Sequence, residues 1–209
     1  MTDRESELCV ILSHHVRVLS LDQIAREWWP PNRDAKWRAR AAVNRVARNK
    51  WLCPVTVLAR PMLELSAPIF EWAPGDPEPA FTLLENRCQE RWERPAVQTE
   101  VVVAGQRALR VFGGSTPGEV KNACQTTHDL HLAEIFLHYR NAGLNWQTQW
   151  VGEDEIAAQW GWKKLPDAVL RDRAGELLRA VDFGGAYRDD RLQDLHTMCA
   201  TRSLPYELW

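Results

Sequence analysis

Apolar positions recur at helical spacing from the start of the chain. Leu8, Ile11, Leu12, His15 and Leu19 predict a first helix from about Glu7 to Val18. Ser20 is placed to cap a second, short helix over Leu21 to Trp29, which Pro30-Pro31 ends. A third helix follows from about Asp34 to Asn49. Ala35, Ala39, Val43 and Val46 line one side of it, while Arg38, Ala41, Arg45 and Arg48 line another with Asn44 beside them. The pattern then changes period. Leu52 to Ala59 reads as a strand, and Met62 to Trp72 alternates loosely enough to be its partner around a turn at Arg60-Pro61.

Ala73-Pro-Gly-Asp-Pro-Glu-Pro breaks any regular element and reads as a linker, which places a domain boundary at residues 74/75. Beyond it the pattern predicts a helix from about Ala80 to Trp92. A hairpin follows, with Thr99 to Val103 and Ala108 to Phe112 on either side of Gly105-Gln106. His128 to Tyr139 reads as an apolar helix, Gln147 to Val151 as a short strand and Asp154 to Trp160 as a short helix. Ala168 to Leu170 and Leu177 to Val181 read as paired strands around Arg173-Ala174-Gly175. A helix over Asp190 to Arg202 and a strand over Tyr206 to Leu208 complete the chain. The fold class that emerges is α+β, with residues 1–74 as a first domain of three helices and a hairpin and 75–209 as a small mixed α/β domain.

Three helices followed by a hairpin is the order of a winged helix-turn-helix, in which the third helix enters the major groove and the hairpin touches the backbone. Charge sharpens this reading. Residues 31–60 hold Arg33, Lys36, Arg38, Arg40, Arg45, Arg48, Lys50 and Arg60 against the one acid Asp34, a net +7. The whole chain has 26 basic and 28 acidic residues. Everything outside the stretch is therefore 18 basic against 27 acidic, a net −9. A local excess of this size is the footprint of a phosphate-binding surface. Guanidinium groups can reach phosphates or guanine edges, and Asn44 has the chemistry for a bidentate contact to adenine. The expected partner is double-stranded DNA, and the expected contacts are those eight cations and Asn44. The bland alternative is a solvated arginine face.

The five cysteines are scattered, with no two at CxxC spacing, which argues against a zinc ribbon or redox pair. The odd count argues against a full disulfide framework. No apolar run approaches the roughly 20 residues of a membrane span, and Met1-Thr-Asp-Arg-Glu-Ser-Glu lacks the apolar stretch of a secretion signal. The expectation is a reduced, cytoplasmic protein with no membrane contact. Eleven tryptophans are unusual at this length. They read as core and interface fillers, although an exposed one can stack on a base.

One candidate metal site comes from spacing. Asp167, at the start of one predicted strand, and Asp182, at the end of its partner, are placed as carboxylates that hold Mg²⁺ would be. The bland reading makes Asp167 a turn-flanking and Asp182 a loop-capping residue. His128 and His131 share a face of one helix, with His138 further along it, but no third ligand accompanies them. His14, His15 and His196 form no set with these. Nothing in the chain has the spacing of a phosphate loop, a Ser/His/Asp set or an HExxH helix.

Several stretches together resemble one family. They are Thr127-His-Asp-Leu-His-Leu-Ala-Glu-Ile-Phe-Leu137, Leu165-Pro-Asp-Ala-Val-Leu170, Glu176-Leu-Leu-Arg-Ala-Val-Asp-Phe-Gly-Gly185, Arg191-Leu-Gln-Asp-Leu195 and Leu204-Pro-Tyr-Glu-Leu-Trp209. They are similar to the replication-relaxation family of plasmid and mobile-element proteins. The resemblance implies an N-terminal winged helix and a C-terminal domain like restriction endonucleases of the PD-(D/E)XK type. The second strand of that pattern wants Glu-x-Asp or Glu/Asp-x-Lys. Here Ala180 stands where the acid would be in one register, and Gly184 stands where the lysine would be in the other. The resemblance therefore implies a degenerate nuclease fold used for binding, with no cofactor. Its function would be DNA binding in replication, transfer or transcription control of a bacterial plasmid, phage or integrated element. Two alternatives stay open. One is an active nuclease in which Asp167 and Asp182 hold Mg²⁺, with Glu155 or Glu176 as the displaced acid and Lys163 or Lys164 as the displaced lysine. The other is an adaptor whose winged helix binds a protein partner or a second copy of the chain.

Overall fold

The computed structural model describes residues 1–92, 94–114, 120, 122–160 and 165–209, with the side chains of 92 and 158–160 left out. Within these residues the chain is a mixed α+β protein with two sheets. It forms two compact units interleaved in sequence. Unit 1 is Met1–Met62 with Ala96–Glu134, and unit 2 is Leu63–Pro95 with Ile135–Trp209. A single boundary at 74/75 does not describe this interleaving. Ala73-Pro-Gly-Asp76 lies inside unit 2 as a hydrogen-bonded turn. Asp76 N donates to Ala73 O at 3.0 Å, and Ala73 N donates to the Asp76 carboxylate at 2.8 Å.

Unit 1 begins with α1 (Asp3–His14), β1 (Leu19–Ser20), α2 (Leu21–Trp28) and α3 (Ala35–Ala47). α1 and α2 start on reciprocal caps. Thr2 and Glu5 bond each other's backbone N–H, and Ser20 and Gln23 do the same. Gln23 then spends its amide N–H groups on Leu130 O (3.0 Å) and the Glu134 carboxylate (2.9 Å), which fixes α2 to the helix that carries them. α3 buries Ala35, Ala39, Ala42, Val43 and Val46, the stripe its spacing predicts. β2 (Leu52–Ala59) follows, as the pattern predicts.

The partner of β2 is not the segment after Arg60-Pro61. It is β4 (Val97–Ala104), in continuous antiparallel register from Leu52↔Ala104 to Ala59↔Val97. β4 also pairs with β1, giving the order β1-β4-β2. The reason is burial. Val101 to Ala104 is an uninterrupted apolar run that is at most 4% exposed, and such a run belongs at the centre of a sheet. Met62 to Trp72 has no comparable run. The second half of the hairpin expected around Gly105-Gln106 is instead a helix, α5 (Gln106–Phe112), which ends on Gly113 at φ +75°. α6 (Ala123–Asn141) begins five residues earlier than predicted.

Unit 2 is built on the sheet order β3-β8-β7-β6-β5, comprising β3 (Phe70–Trp72), β5 (Trp150–Gly152), β6 (Ala168–Arg171), β7 (Leu177–Asp182) and β8 (Tyr206–Leu208). The β6–β7 hairpin is the predicted one, registered Ala168↔Val181, with a turn in which Asp172 Oδ1 accepts from the N–H groups of Ala174 and Glu176. β7 and β8 run parallel, and the rest of the sheet is antiparallel. α4 (Phe81–Gln89) and α9 (Asp189–Thr201) pack together over it. The core gathers Trp72, Leu84, Val169, Ala180, Leu192, Leu195, Met198, Tyr206 and Leu208. β3 belongs here because its aromatics do: Trp72 stacks on Tyr206 with ring centroids 5.7 Å apart. Two further short helices, α7 (Trp146–Gln149) and α8 (Glu153–Trp160), flank β5.

One glycine governs how α5 leaves β4. A Cβ on Gly105 would lie 2.3 Å from Lys50 O, a backbone atom that has no room to give. Gly105→Ala is therefore expected to destabilise the fold by about 1–3 kcal/mol, the cost of overpacking, read as a lowered urea midpoint. An unchanged midpoint would show that the two turns separate freely.

Candidate nucleic-acid interface

α3 presents its exposed side through Trp37, Ala41, Asn44 and Arg48, at spacings of four, three and four. Trp37 is 68% exposed, the most exposed tryptophan of those described. Sequence reasoning missed it, because apolar type alone assigned the tryptophans to cores. The signal available was position: Trp37 lies opposite the buried Ala35-Ala39-Val43-Val46 stripe.

The nine predicted contacts separate into two groups. Three cations, although largely exposed, are paired with carboxylates of the protein. Lys36 Nζ is 2.7 Å from Asp22 on α2, Arg40 pairs with Glu100 on β4, and Arg45 pairs with Glu5 on α1. Arg60 is half-buried, and its N–H donates to Thr127 Oγ1 at 2.9 Å. Arg33 is 95% exposed and only 3.8 Å from its neighbour Asp34. Arg38, Asn44, Arg48 and Lys50 are exposed. Among the described residues no carboxylate lies within ion-pair distance of Arg38, Arg48 or Lys50. The free cations thus sit at the start of α3, on its Arg38 flank, and at its end, rather than as one continuous Arg38-Arg45-Arg48 row.

Arg45 is better described as a clamp. Glu5 is 4% exposed at its side chain and receives Arg45 Nε at 3.0 Å in addition to the capping bonds of Thr2. Burial raises the Glu5 carboxyl, but the bonds from Arg45 and Thr2 outweigh it, so its pKa falls below the usual 4.5. The pair locks α3 against the first turn of α1.

The second predicted constellation also comes together, in unit 2. Asp167 and Asp182 sit one residue beyond the Ala168↔Val181 rung. Asp167 Oδ2 accepts from Phe183 N at 2.8 Å, and the Asp182 side chain is fully buried. The cation that faces them is part of the protein. Arg191 lies 3.5 Å from Asp182 Oδ2, donates to Leu165 O at 3.1 Å, and has its guanidinium 5.2 Å from the Tyr187 ring centre. Burial disfavours the Arg191 charge, but Asp182 above all, with Tyr187 and Asp167, raises its pKa above the ordinary value. Burial, with both acids, pushes the Tyr187 phenol well up. A hydrated Mg²⁺ ion does not fit this pair. One carboxylate is sealed from solvent and faces a guanidinium, and the other is tied to a backbone N–H. Of the displaced acids, Glu155 lies 3.9 Å from Arg171, and Glu176 is exposed on the β6–β7 turn. Lys163 and Lys164 lie outside the described residues.

The histidines are spread over separate roles. His131 is buried with Nδ1 2.6 Å from Thr127 O, His128 lies 3.6 Å from Asp129, and the His138 ring is 5.0 Å from that of Trp209. Among the described residues no three His, Cys, Asp or Glu side chains form a metal-holding group. All five cysteines are free, with Cys9, Cys88 and Cys199 buried and Cys53 and Cys124 exposed. No described helix is long and apolar enough to cross a membrane. The chain matches no family model, no curated protein and no solved structure.

Two predictions follow from the two clamped arginines. Because the Glu5 pKa is depressed on folding, its stabilisation is full above the unfolded value and is lost as pH falls through the lower folded one. Glu5→Gln should cost about 1–2 kcal/mol at neutral pH and flatten the loss of stability on acidification, measured by urea melts across that range. An acid limb identical to wild type would refute the clamp. Arg191→Leu strands two buried carboxylates and should cost about 3–5 kcal/mol, with Asp182→Asn in the same chain restoring part of it. If the single variant melts like wild type, Arg191 is not their counter-charge.

Proposed function

We propose that the protein binds double-stranded DNA through unit 1, acting as a winged helix-turn-helix with α3 as the groove-reading element. The observation that carries this reading is the exposed side of α3. Its cations Arg38, Arg48 and Lys50, with Arg33 beside Asp34, flank Trp37 and Asn44, and Asp34 is the one acid among residues 31–60. Solvated helix faces ordinarily mix lysine with glutamate. Asp22, Glu100 and Glu5 offset Lys36, Arg40 and Arg45, and the cations left over are those that phosphate would neutralise. Three helices with α3 leading directly into β2 support the same reading, although the strand that pairs with β2 is the distant β4 and not the second half of a wing hairpin.

In this reading Arg38 and Arg48 contact phosphate or guanine, Asn44 reads adenine, and Trp37 packs its ring on a thymine methyl or sugar. Lys36, Arg40 and Arg45 set the pose of α3 and add to the field without being free to reach a base. Unit 2 serves as a degenerate nuclease-like domain, a reading supported by Arg191 beside the acid pair. It would provide a surface for a protein partner or for a second copy of the chain on two half-sites. The biological role we assign is control of replication, transfer or transcription in a bacterial mobile element. This follows from the sequence resemblance to replication-relaxation proteins.

Trp37 favours one competing reading. An exposed tryptophan ringed by arginine is also the composition of a protein-binding hot spot. Titration of labelled duplex at several salt concentrations separates the two. For DNA binding, affinity falls steeply with salt, and Arg38→Ala/Arg48→Ala reduces the slope of log K against log salt by about 2. Trp37→Ala weakens binding without changing that slope. No binding at low salt would leave α3 as a protein-docking surface.

A further inference from the structure

A second basic surface lies just past the end of α3. Asn49, Lys50, Gln106, Arg107, Arg110 and Val111 line a cleft of about 480 Å³ between the α3–β2 turn and α5. All six side chains are exposed, and neither 43–59 nor 101–114 contains an acidic residue. Arg107 and Arg110 stand outside the basic stretch of the sequence, so the cleft exists only once β4 has brought α5 to the turn.

The cleft is built rather than incidental. Arg107 N donates to Lys50 O at 3.0 Å, and Gly105 N donates to Trp51 O at 2.9 Å, which staples the two turns together. The Arg107 guanidinium lies 4.7 Å from the centre of the Trp51 ring, and Phe112 lies against the other partner of that contact, 5.9 Å from Trp51. A guanidinium held on an aromatic face loses little further freedom when it meets an anion.

Lys50 supplies the independent observation. Helix α3 closes with Trp51 N bonded to Val46 O and Lys50 N to Ala47 O, which puts Lys50 at the left-handed position of the closing turn, φ +59°. Glycine is the unstrained choice there. The chain instead holds a lysine in this conformation, on the lining of a cleft that already has two arginines.

We propose that this cleft grips the sugar-phosphate backbone of the duplex read by α3, with Lys50, Arg107 and Arg110 as phosphate ligands and Asn49 and Gln106 as neutral donors. The proposal rests on the DNA-binding reading of α3 and extends its footprint by a strand contact that begins two residues beyond Arg48. The shared chemistry is an anionic phosphate, and the occupant we commit to is nucleic-acid backbone rather than a free anion, because the cations are spread along an open cleft that continues the basic end of α3.

Lys50→Gly/Arg110→Gln in the full chain tests it. Relief of the left-handed lysine should raise the thermal midpoint, while duplex affinity falls and the salt slope drops by about 2. Gain of stability with loss of binding is a combination that a merely structural role would not produce. If wild type binds duplex and the variant binds with unchanged affinity and slope, the cleft is not a contact and only this inference falls. If wild type binds no duplex, the reading of α3 falls and the cleft with it. If inorganic phosphate at millimolar concentration stabilises wild type as much as duplex does, and the variant loses that effect, the site takes a small anion and the commitment to backbone is overturned.

Discussion

Unit 1 depends on where Val101-Val102-Val103-Ala104 is buried. Four consecutive apolar residues at the end of β4 have no polar face to turn toward water, so strands must flank them on both edges and helices must cover both faces. β1 and β2 supply the edges. Because β1 is joined to α2 and β2 to α3, pairing both to the same central strand fixes α2 and α3 against one sheet. α3 then buries its alanine-valine stripe, and its opposite side, Trp37 to Arg48, has nowhere to point but outward. The charge pattern of the outward side is thus a consequence of apolar burial in a strand some fifty residues away in sequence.

The elements whose periodicity is local were legible. α2, α3, α9, the β6–β7 hairpin and the Ser20 cap all stand close to where spacing and capping chemistry place them, whereas α1 (Asp3–His14) starts and ends a turn earlier than expected because the Thr2–Glu5 capping box sets its start. What spacing could not supply was the partner of β2. Leu52–Ala59 had a nearby candidate after Arg60-Pro61, and proximity in sequence favoured it. The actual partner, β4, wins because its buried valine run needs two neighbours, a demand visible only when the sheet is considered as a whole. Gln106–Phe112 failed for a related reason. Seven residues are too few for periodicity to separate strand from helix, and Gly105 suggested a hairpin turn where it in fact permits a close backbone approach.

The candidate interface was legible as a charge excess but not as a list of contacts. Composition gives the sign of a stretch, while availability depends on which carboxylates the fold brings near. Lys36, Arg40 and Arg45 meet Asp22, Glu100 and Glu5, each from a different element. Conversely, Arg107 and Arg110 carry no special weight in the sequence and acquire it only when α5 is stapled to the turn after α3. The usable charge at this end of α3 is set by folding as much as by sequence.

Glu5–Arg45 and Asp182–Arg191 show one device used in both units. In each, a carboxylate taken out of water lies beside the guanidinium of a partly exposed arginine. Paired in this way, a buried acid specifies geometry, because removing its partner would strand a charge. In unit 1 that geometry is the pose of α3. In unit 2 it is a pair of strand-end carboxylates that elsewhere would invite a metal ion, and here the guanidinium takes the cation's place.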